Sequence, residues 1–295
     1  IEPRLVDAES IGWVIGPRLN AAGRMAHARI ALDLLLAQTI EAARTIAAEI
    51  ERLNDERRTA TTHAVELARA LAGDTPPPLI VVDSSEMSSG IIGLVAARLA
   101  EEFHRPAIAI GIEGGEGRGS CRSIPEFDVT ALLQRNSDLF LRYGGHRAAA
   151  GFSVAPERIP EMRARLVEDT ARHLDATALV AALEVDAELP LAEVDRRMVQ
   201  WLGLLGPFGN GNPAPVFLAR RVRVTDSRTV GADGAHLQMS LRAGNVTWRA
   251  IAFRQAASAG ATGEDADVVY TFRSDQFGGE ARLQLEVLDL RPASD

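Results

Sequence analysis

The sequence predicts an α/β protein in which a long connecting helix leads into an α/β domain and then into a small five-stranded β-barrel. Three observations carry that prediction. Residues 28–72 contain neither Pro nor Gly and are rich in Ala, Leu, Glu and Arg. Two continuous apolar runs, Leu79-Ile80-Val81-Val82 and residues 107–112, flank a helical stretch. Beyond residue 215 the chain breaks into short alternating segments separated by turns. With 295 residues and 46% hydrophobic content it can bury ordinary cores, and domain-size statistics divide it into two or three folded units.

Within residues 28–72, apolar residues such as Ile46, Ile50 and Leu53 recur at helical spacing, and the stretch reads as a short helix followed by a long one. Gly73 and Pro76-Pro77-Pro78 stop it, so a new domain starts near Pro78. There the run at 79–82 predicts a buried strand, residues 91–103 a helix and residues 107–112 a second strand covered on both faces, which is a βαβ rhythm. Residues 129–141 follow as a helix, 148–154 as a strand and 157–174 as a closing helix. A connector carries Trp201 and the dense run Gly206-Pro207-Phe208-Gly209-Asn210-Gly211-Asn212-Pro213. Five strands then fit residues 216–225, 236–241, 247–253, 267–272 and 282–290, with turns at Ala232-Asp233-Gly234 and Ala243-Gly244-Asn245. Five short strands with little helix between them suggest a barrel of the oligonucleotide-binding (OB) type.

Composition narrows the function. Thirty-two basic against 40 acidic residues give a net charge of -8, which argues against a general nucleic-acid coat protein but leaves room for a narrow basic groove. Every basic residue is arginine, whose planar fork suits phosphate better than an ammonium does. The single cysteine, Cys121, excludes an internal disulfide framework. No signal peptide opens the chain and no apolar run reaches the length of a membrane span, so a cytoplasmic, membrane-free location is expected. The opening Ile1-Glu2-Pro3 lacks an initiator methionine and suggests a fragment.

Three segments concentrate chemistry. Gly117-Arg118-Gly119-Ser120-Cys121-Arg122-Ser123 sets glycines, hydroxyls and guanidiniums beside an expected strand edge. Its glycines let backbone amides approach an anion, its hydroxyls donate, and Arg122 can pair bidentately with a phosphate; a glycine-rich hairpin with an exposed arginine is the plain alternative. In Tyr143-Gly144-Gly145-His146-Arg147 the paired glycines imply close approach of something to the backbone, which favours a working His146 over a merely packed or solvated one. Gly16-Pro17-Arg18-Leu19-Asn20-Ala21-Ala22-Gly23-Arg24 reads either as a turn leading into a helix or as an anion clamp at that turn. In the barrel, Arg220, Arg221, Arg223, Trp248 and Arg249 are candidates for gripping a strand by base stacking beside phosphates. Alternation sets Trp248 opposite Thr247 and Arg249 and favours its packing inside, and the Arg220-Arg221-Val222-Arg223 run serves equally as a solvated edge. The six histidines, His27, His63, His104, His146, His173 and His236, are scattered, and no metal site is expected.

Taken in order, Pro17-Arg18-Leu19-Asn20-Ala21-Ala22-Gly23-Arg24, Gly90-Ile91-Ile92-Gly93, Gly119-Ser120-Cys121-Arg122-Ser123-Ile124-Pro125, Gly144-Gly145-His146 with Ala149-Ala150-Gly151, and the run from Gly206 to Pro213 resemble the later part of RecJ-type single-strand-specific exonucleases of the DHH phosphoesterase superfamily. The resemblance spans nearly the whole chain. It implies the tail of a DHH domain over residues 1–38, a long connector helix over 39–75, a DHHA1 domain over 76–176, a connector over 177–214 and an OB-like domain over 215–295. It further implies a 5′–3′ exonuclease of single-stranded DNA in repair and recombination, dependent on Mn2+ or Mg2+ bound by aspartates and histidines that this chain does not contain. What remains here is positioning: Ser120, Arg122 and His146 hold the terminal or scissile phosphate, His146 standing at the catalytic centre, while Arg24, Ser123, Gly144 and Gly145 add substrate contacts. One departure is Met87-Ser88-Ser89-Gly90, where the family commonly has a Trp-His pair ahead of its Gly-Val-Ile-Gly-like turn, which opens an altered substrate preference. A DHH-family phosphodiesterase for short oligonucleotides or nucleotide messengers is one alternative, against which the barrel weighs, because short substrates need no extended grip. A non-catalytic nucleic-acid-binding module is the other, against which the retained motifs weigh.

Overall fold

A computed structural model describes residues 6, 8–231, 234–261, 265–275 and 282–293. Ile1-Glu2-Pro3 and the Ala232-Asp233 part of an expected turn lie outside the described residues. The chain divides into two compact units, Ile1–Ala181 and Ala182–Asp295.

The first unit opens with one α turn (α1, Ala8–Ser10), a π-helical turn (Ile11–Ile15) and α2 (Gly16–Met25). The turn expected at residues 16–24 is therefore a helix. Pro17 lies in its first turn, where a backbone N–H is not needed, and at Gly23 a Cβ would meet only Ala28 at 3.4 Å. α3 (Arg29–Leu35) and α4 (Ile40–Ala72) are the short and long helices read from the sequence. Thr39 caps α4 by accepting from the Ala42 N–H at 3.2 Å, and Gly73, at φ 71°, ends it by donating to the Arg69 carbonyl at 3.0 Å.

β1 (Ile80–Ser84), α5 (Ile92–Phe103) and β2 (Ala107–Glu113) form the βαβ unit, with β1 and β2 parallel. The chain then folds back through Gly114 and Gly115, both at positive φ, into β3 (Glu116–Arg122). α6 (Val129–Arg135), β4 (Arg142–His146), β5 (Ala149–Val154) and α7 (Ile159–His173) complete the layer, and the sheet order is β1-β2-β3-β5-β4. Two expectations change. Residues 117–122 form an interior strand paired on both sides, so their glycines do not free amides at an edge; at Gly119 a Cβ would lie 2.1 Å from the Phe152 ring. The helix expected to reach residue 141 stops at Arg135, because the Asn136 side chain donates to the Leu132 carbonyl at 3.1 Å and to Asp169 at 3.1 Å, and the chain is released into the unforeseen strand β4.

Side-chain alternation divides the sheet between two cores. Ala107 and Ala109 pack with Ala64 and Ala68 of α4 and Val95 and Leu99 of α5, whereas Ile108, Cys121, Phe152 and Val154 pack with Leu132 of α6 and Met162 and Leu166 of α7. No residue of β4 or β5 belongs to the α4–α5 core. On that side the outer part of the sheet is an open shelf.

In the second unit a short β6 (Ala187–Glu188) and α8 (Arg196–Gly203) precede β7 (Phe217–Val230), β8 (His236–Ala243), β9 (Val246–Ala252), β10 (Asp265–Asp275) and β11 (Arg282–Pro292). The five predicted strands are present, and pairing of β10 with both β11 and β7 closes β7-β8-β9-β11-β10 into a barrel. Leu237, Met239, Leu241, Val268, Tyr270 and Leu285 fill it. Closure removes the exposed edges that an open five-stranded sheet would present.

Candidate nucleic-acid interface

The start of α5 gathers three motifs that are far apart in sequence. At Gly90 a Cβ would stand 2.0 Å from the Arg24 carbonyl oxygen, and Arg24 Nη1 donates to the Gly90 carbonyl at 3.2 Å. At Gly93 a Cβ would stand 3.2 Å from Arg122 Nη2 and 3.3 Å from Ser120 Oγ. Arg122 is itself held by donation from Nη1 to the Cys121 carbonyl at 2.8 Å and to Ser120 Oγ at 3.2 Å. Arg24, Ser120 and Arg122 therefore converge on the first turn of α5. Met87, where the family resemblance leads to an aromatic, is fully buried in the α4–α5 core, and Ser89 donates to Glu113 through its N–H at 3.0 Å and its hydroxyl at 3.2 Å.

Strand register lays out the open shelf in rows. Arg122 pairs with Ala149, which pairs with His146; Ser120 pairs with Gly151, which pairs with Gly144; Arg118 pairs with Ser153, which pairs with Arg142. All nine residues project to the face not used by the α6–α7 core, since alternate residues share a face. The middle row has almost no side chain, and guanidiniums and an imidazole rim it. His146 is exposed, and its side chain makes no hydrogen bond or ion pair among the described residues. Two predicted contacts fall elsewhere. Ser123 donates its hydroxyl to the Phe127 carbonyl at 2.9 Å and its N–H to the Ala148 carbonyl at 3.0 Å, which holds the loop after β3. Gly145 faces away from the shelf; a Cβ there would lie 2.4 Å from Ala150 Cα, so the glycine permits the β4–β5 hairpin to close.

Charge at this place is not balanced locally. Neither Arg24 nor Arg122 has a carboxylate partner among the described residues, and both stand at the positive end of the α5 dipole, where Ile91 supplies no side-chain cap. Arg57 of α4, held by Asn54 at 2.8 Å, adds to the crowd: burial first, then Arg24, Arg58 and Arg18, push its pKa below the usual guanidinium value. Cys121 takes no part, since complete burial pushes its thiol up to about 12 and keeps it protonated. Among the described residues no group of three or more His, Cys, Asp and Glu side chains converges. A site rich in guanidinium donors and without carboxylate partners among the described residues is built for an anion.

Comparison with known proteins assigns both units. The DHHA1 domain matches residues 77–171 and the RecJ OB domain matches residues 185–289. The crystal structure of RecJ in complex with Mg2+ from Thermus thermophilus overlays with a TM-score of 0.81 at 30% identity, covering 98% of this chain and 44% of that one. The chain belongs to the RecJ family. Among RecJ relatives described as single-stranded-DNA-specific exonucleases, that of Bacillus subtilis (strain 168) is 34% identical over 79% of this chain and 30% of its own length. That of Dickeya dadantii (strain 3937) is 31% identical over 97% of this chain and 52% of its own length. The chain thus spans about half the length, or less, of the curated relatives it matches.

The RecJ-type barrel spends most of its candidate arginines internally. Arg220 pairs with Glu188 at 3.0 Å and with the buried Asp267 at 3.5 Å, Arg223 pairs with Asp265 at 3.1 Å, and the Arg221 N–H donates to Asp267 at 3.2 Å. Trp248 packs against the barrel core, as alternation indicates, and its Nε1–H donates to the Leu191 carbonyl at 3.1 Å. Arg249 stays exposed. A cluster the sequence does not advertise lies at the strand ends: Phe253 carries the Arg273 guanidinium over its ring at 5.0 Å and His236 against its edge at 5.2 Å. Its three members are distant in sequence, and only barrel closure brings them together.

Proposed function

We propose that this chain is the strand-holding part of a metal-dependent, single-strand-specific 5′–3′ DNA exonuclease that acts in cytoplasmic DNA repair and recombination. The observation that carries the reading is the meeting of Arg24, Ser120 and Arg122, without carboxylate partners, at the uncapped start of α5. A terminal or scissile phosphate supplies the missing negative charge: Arg122 and Arg24 donate to its oxygens, the Ser120 hydroxyl adds a third donor, and the α5 dipole favours its charge. His146, across the shelf from Arg122, donates to the same phosphate or accepts from the water that attacks it. Gly144 and Gly151 keep the floor low enough for the strand to lie on it. The Mn2+ or Mg2+ that activates water in such a hydrolase belongs to ligands outside this chain, and the barrel extends the grip beyond the terminus.

The test is binding of single-stranded oligonucleotides carrying a 5′-phosphate. Arg122→Ala weakens binding by about tenfold or more, the scale of a lost charge-assisted hydrogen bond, whereas Arg69→Ala, which removes only an exposed pair with Glu102 on α4 and α5, leaves it unchanged. Equal effects of the two substitutions remove the phosphate role.

A further inference from the structure

The third row of the shelf, beyond the glycine-floored middle one, repeats the chemistry of the first. Arg118 and Arg142 flank Ser153 across β3, β5 and β4, and the three line a depression of about 490 Å³ that Tyr143 and Gly151 also border. Arg118 is exposed, its guanidinium forms no hydrogen bond or ion pair among the described residues, and its charge helps to lower the pKa of Glu116. Arg142, with 74% of its side chain exposed, touches Glu116 at 3.3 Å and Ser153 Oγ at 3.4 Å, both at the long end of hydrogen bonding. An exposed contact of that length holds the guanidinium weakly, so it is available to a better acceptor.

We infer that Arg118, Arg142 and Ser153 form a second anion subsite that takes an internal phosphodiester of the same strand whose terminal phosphate lies at Arg122. The inference rests on the phosphate reading of the first row. Arg118 lies four residues from Arg122 along one strand, a separation of about 13 Å, which a single strand covers in two to four nucleotide steps. Glu116 occupies the subsite when no strand is present: its carboxylate is held below the ordinary value by Ser153 first and Arg142 next, so it is ionised at neutral pH and gives way to a phosphate that brings similar charge. A mononucleotide reaches the first row only, and a strand of six nucleotides reaches both.

Binding of 5′-phosphorylated thymidine mononucleotide and of the 5′-phosphorylated thymidine hexamer to the 295-residue chain separates the two rows. The double variant Arg118→Ala, Arg142→Ala binds the hexamer about tenfold more weakly and flattens its salt dependence by about 0.7 in log–log slope, one phosphate's share, with the mononucleotide unchanged. Glu116→Gln, which releases Arg142, tightens the hexamer about two- to threefold. An unchanged hexamer affinity in the double variant, or an equal loss for mononucleotide and hexamer, overturns the subsite. Arg122→Ala is the control for the first row. If it leaves the mononucleotide unaffected, the first-row reading fails by itself, whatever the double variant does to the hexamer.

Discussion

Gly90 and Gly93, three residues apart, tolerate a methyl group very differently. At Gly93 the obstruction is the far end of Arg122 and the Ser120 hydroxyl, which swing aside, and alanine inside a helix is favoured over glycine by about 0.5–1 kcal/mol. Gly93→Ala is therefore expected to leave thermal stability unchanged or slightly raised while weakening binding of a 5′-phosphorylated strand about fivefold, because displaced donors make poorer hydrogen bonds. At Gly90 the obstruction is the Arg24 backbone at 2.0 Å, which belongs to α2 and cannot yield alone. Gly90→Ala is expected to cost about 1–3 kcal/mol, the range for overpacking, and to loosen Arg24 from the site. Denaturant melts paired with binding curves check both. If Gly93→Ala leaves binding untouched, Ser120 and Arg122 do not act from where the structure holds them.

At the scale of elements, the turn from α6 into β4 is fastened by Asp169 of α7. Its carboxylate accepts from the Arg135 guanidinium and from Asn136 Nδ2 at 3.1 Å. Burial works to raise its pKa, but the hydrogen bonds of Arg135 and Asn136 outweigh burial and the net direction is down. A carboxylate depressed in the folded state contributes stability that is fully present above its unfolded value of about 3.9 and is lost as pH falls through the folded one. Asp169→Asn is therefore expected to destabilise the first unit by about 1–3 kcal/mol at neutral pH, and the difference from the parent shrinks in melts below about pH 4. A gap that persists undiminished at low pH removes the ionic part of this account. The same turn shows where sequence reading stopped. All five barrel strands were legible because alternating apolar residues and glycine turns frame them, and that alternation also gave the packing of Trp248. β4 was hidden because all five residues are exposed and two are glycines, so it carries no apolar period. α2 was hidden because Gly16 and Pro17 read as breakers, although both suit a first helical turn. Ser120, Arg122 and His146 stood out as motif residues, but their sharing one face with Arg118 and Arg142 follows from strand register across β3, β5 and β4, which local sequence does not contain.

Across the molecule, an acidic chain keeps a local cluster of positive charge at the shelf and the start of α5. The net charge of -8 is spread over surfaces where arginines are paired with carboxylates, as on α7, where Arg165 meets Asp138 and Arg172 meets Glu168, and on β7. Arg24, Arg118 and Arg122, at the shelf and the start of α5, form no salt bridge with a carboxylate among the described residues. A net acidic surface with such a cluster disfavours indiscriminate coating of nucleic acid and favours entry of a strand at the shelf. It also separates holding from cleavage: with Mn2+ added, the purified 295-residue chain is expected to bind single-stranded DNA without degrading it, and robust metal-dependent degradation contradicts that division. The most direct test of the central claim is a thermodynamic cycle on the terminal phosphate, in which the affinity of the chain and of its Arg122→Ala variant is measured for the same single strand with a 5′-phosphate and with a 5′-hydroxyl. The account predicts that the parent chain prefers the phosphorylated end and that this preference collapses in the variant; a preference of equal size in both contradicts it.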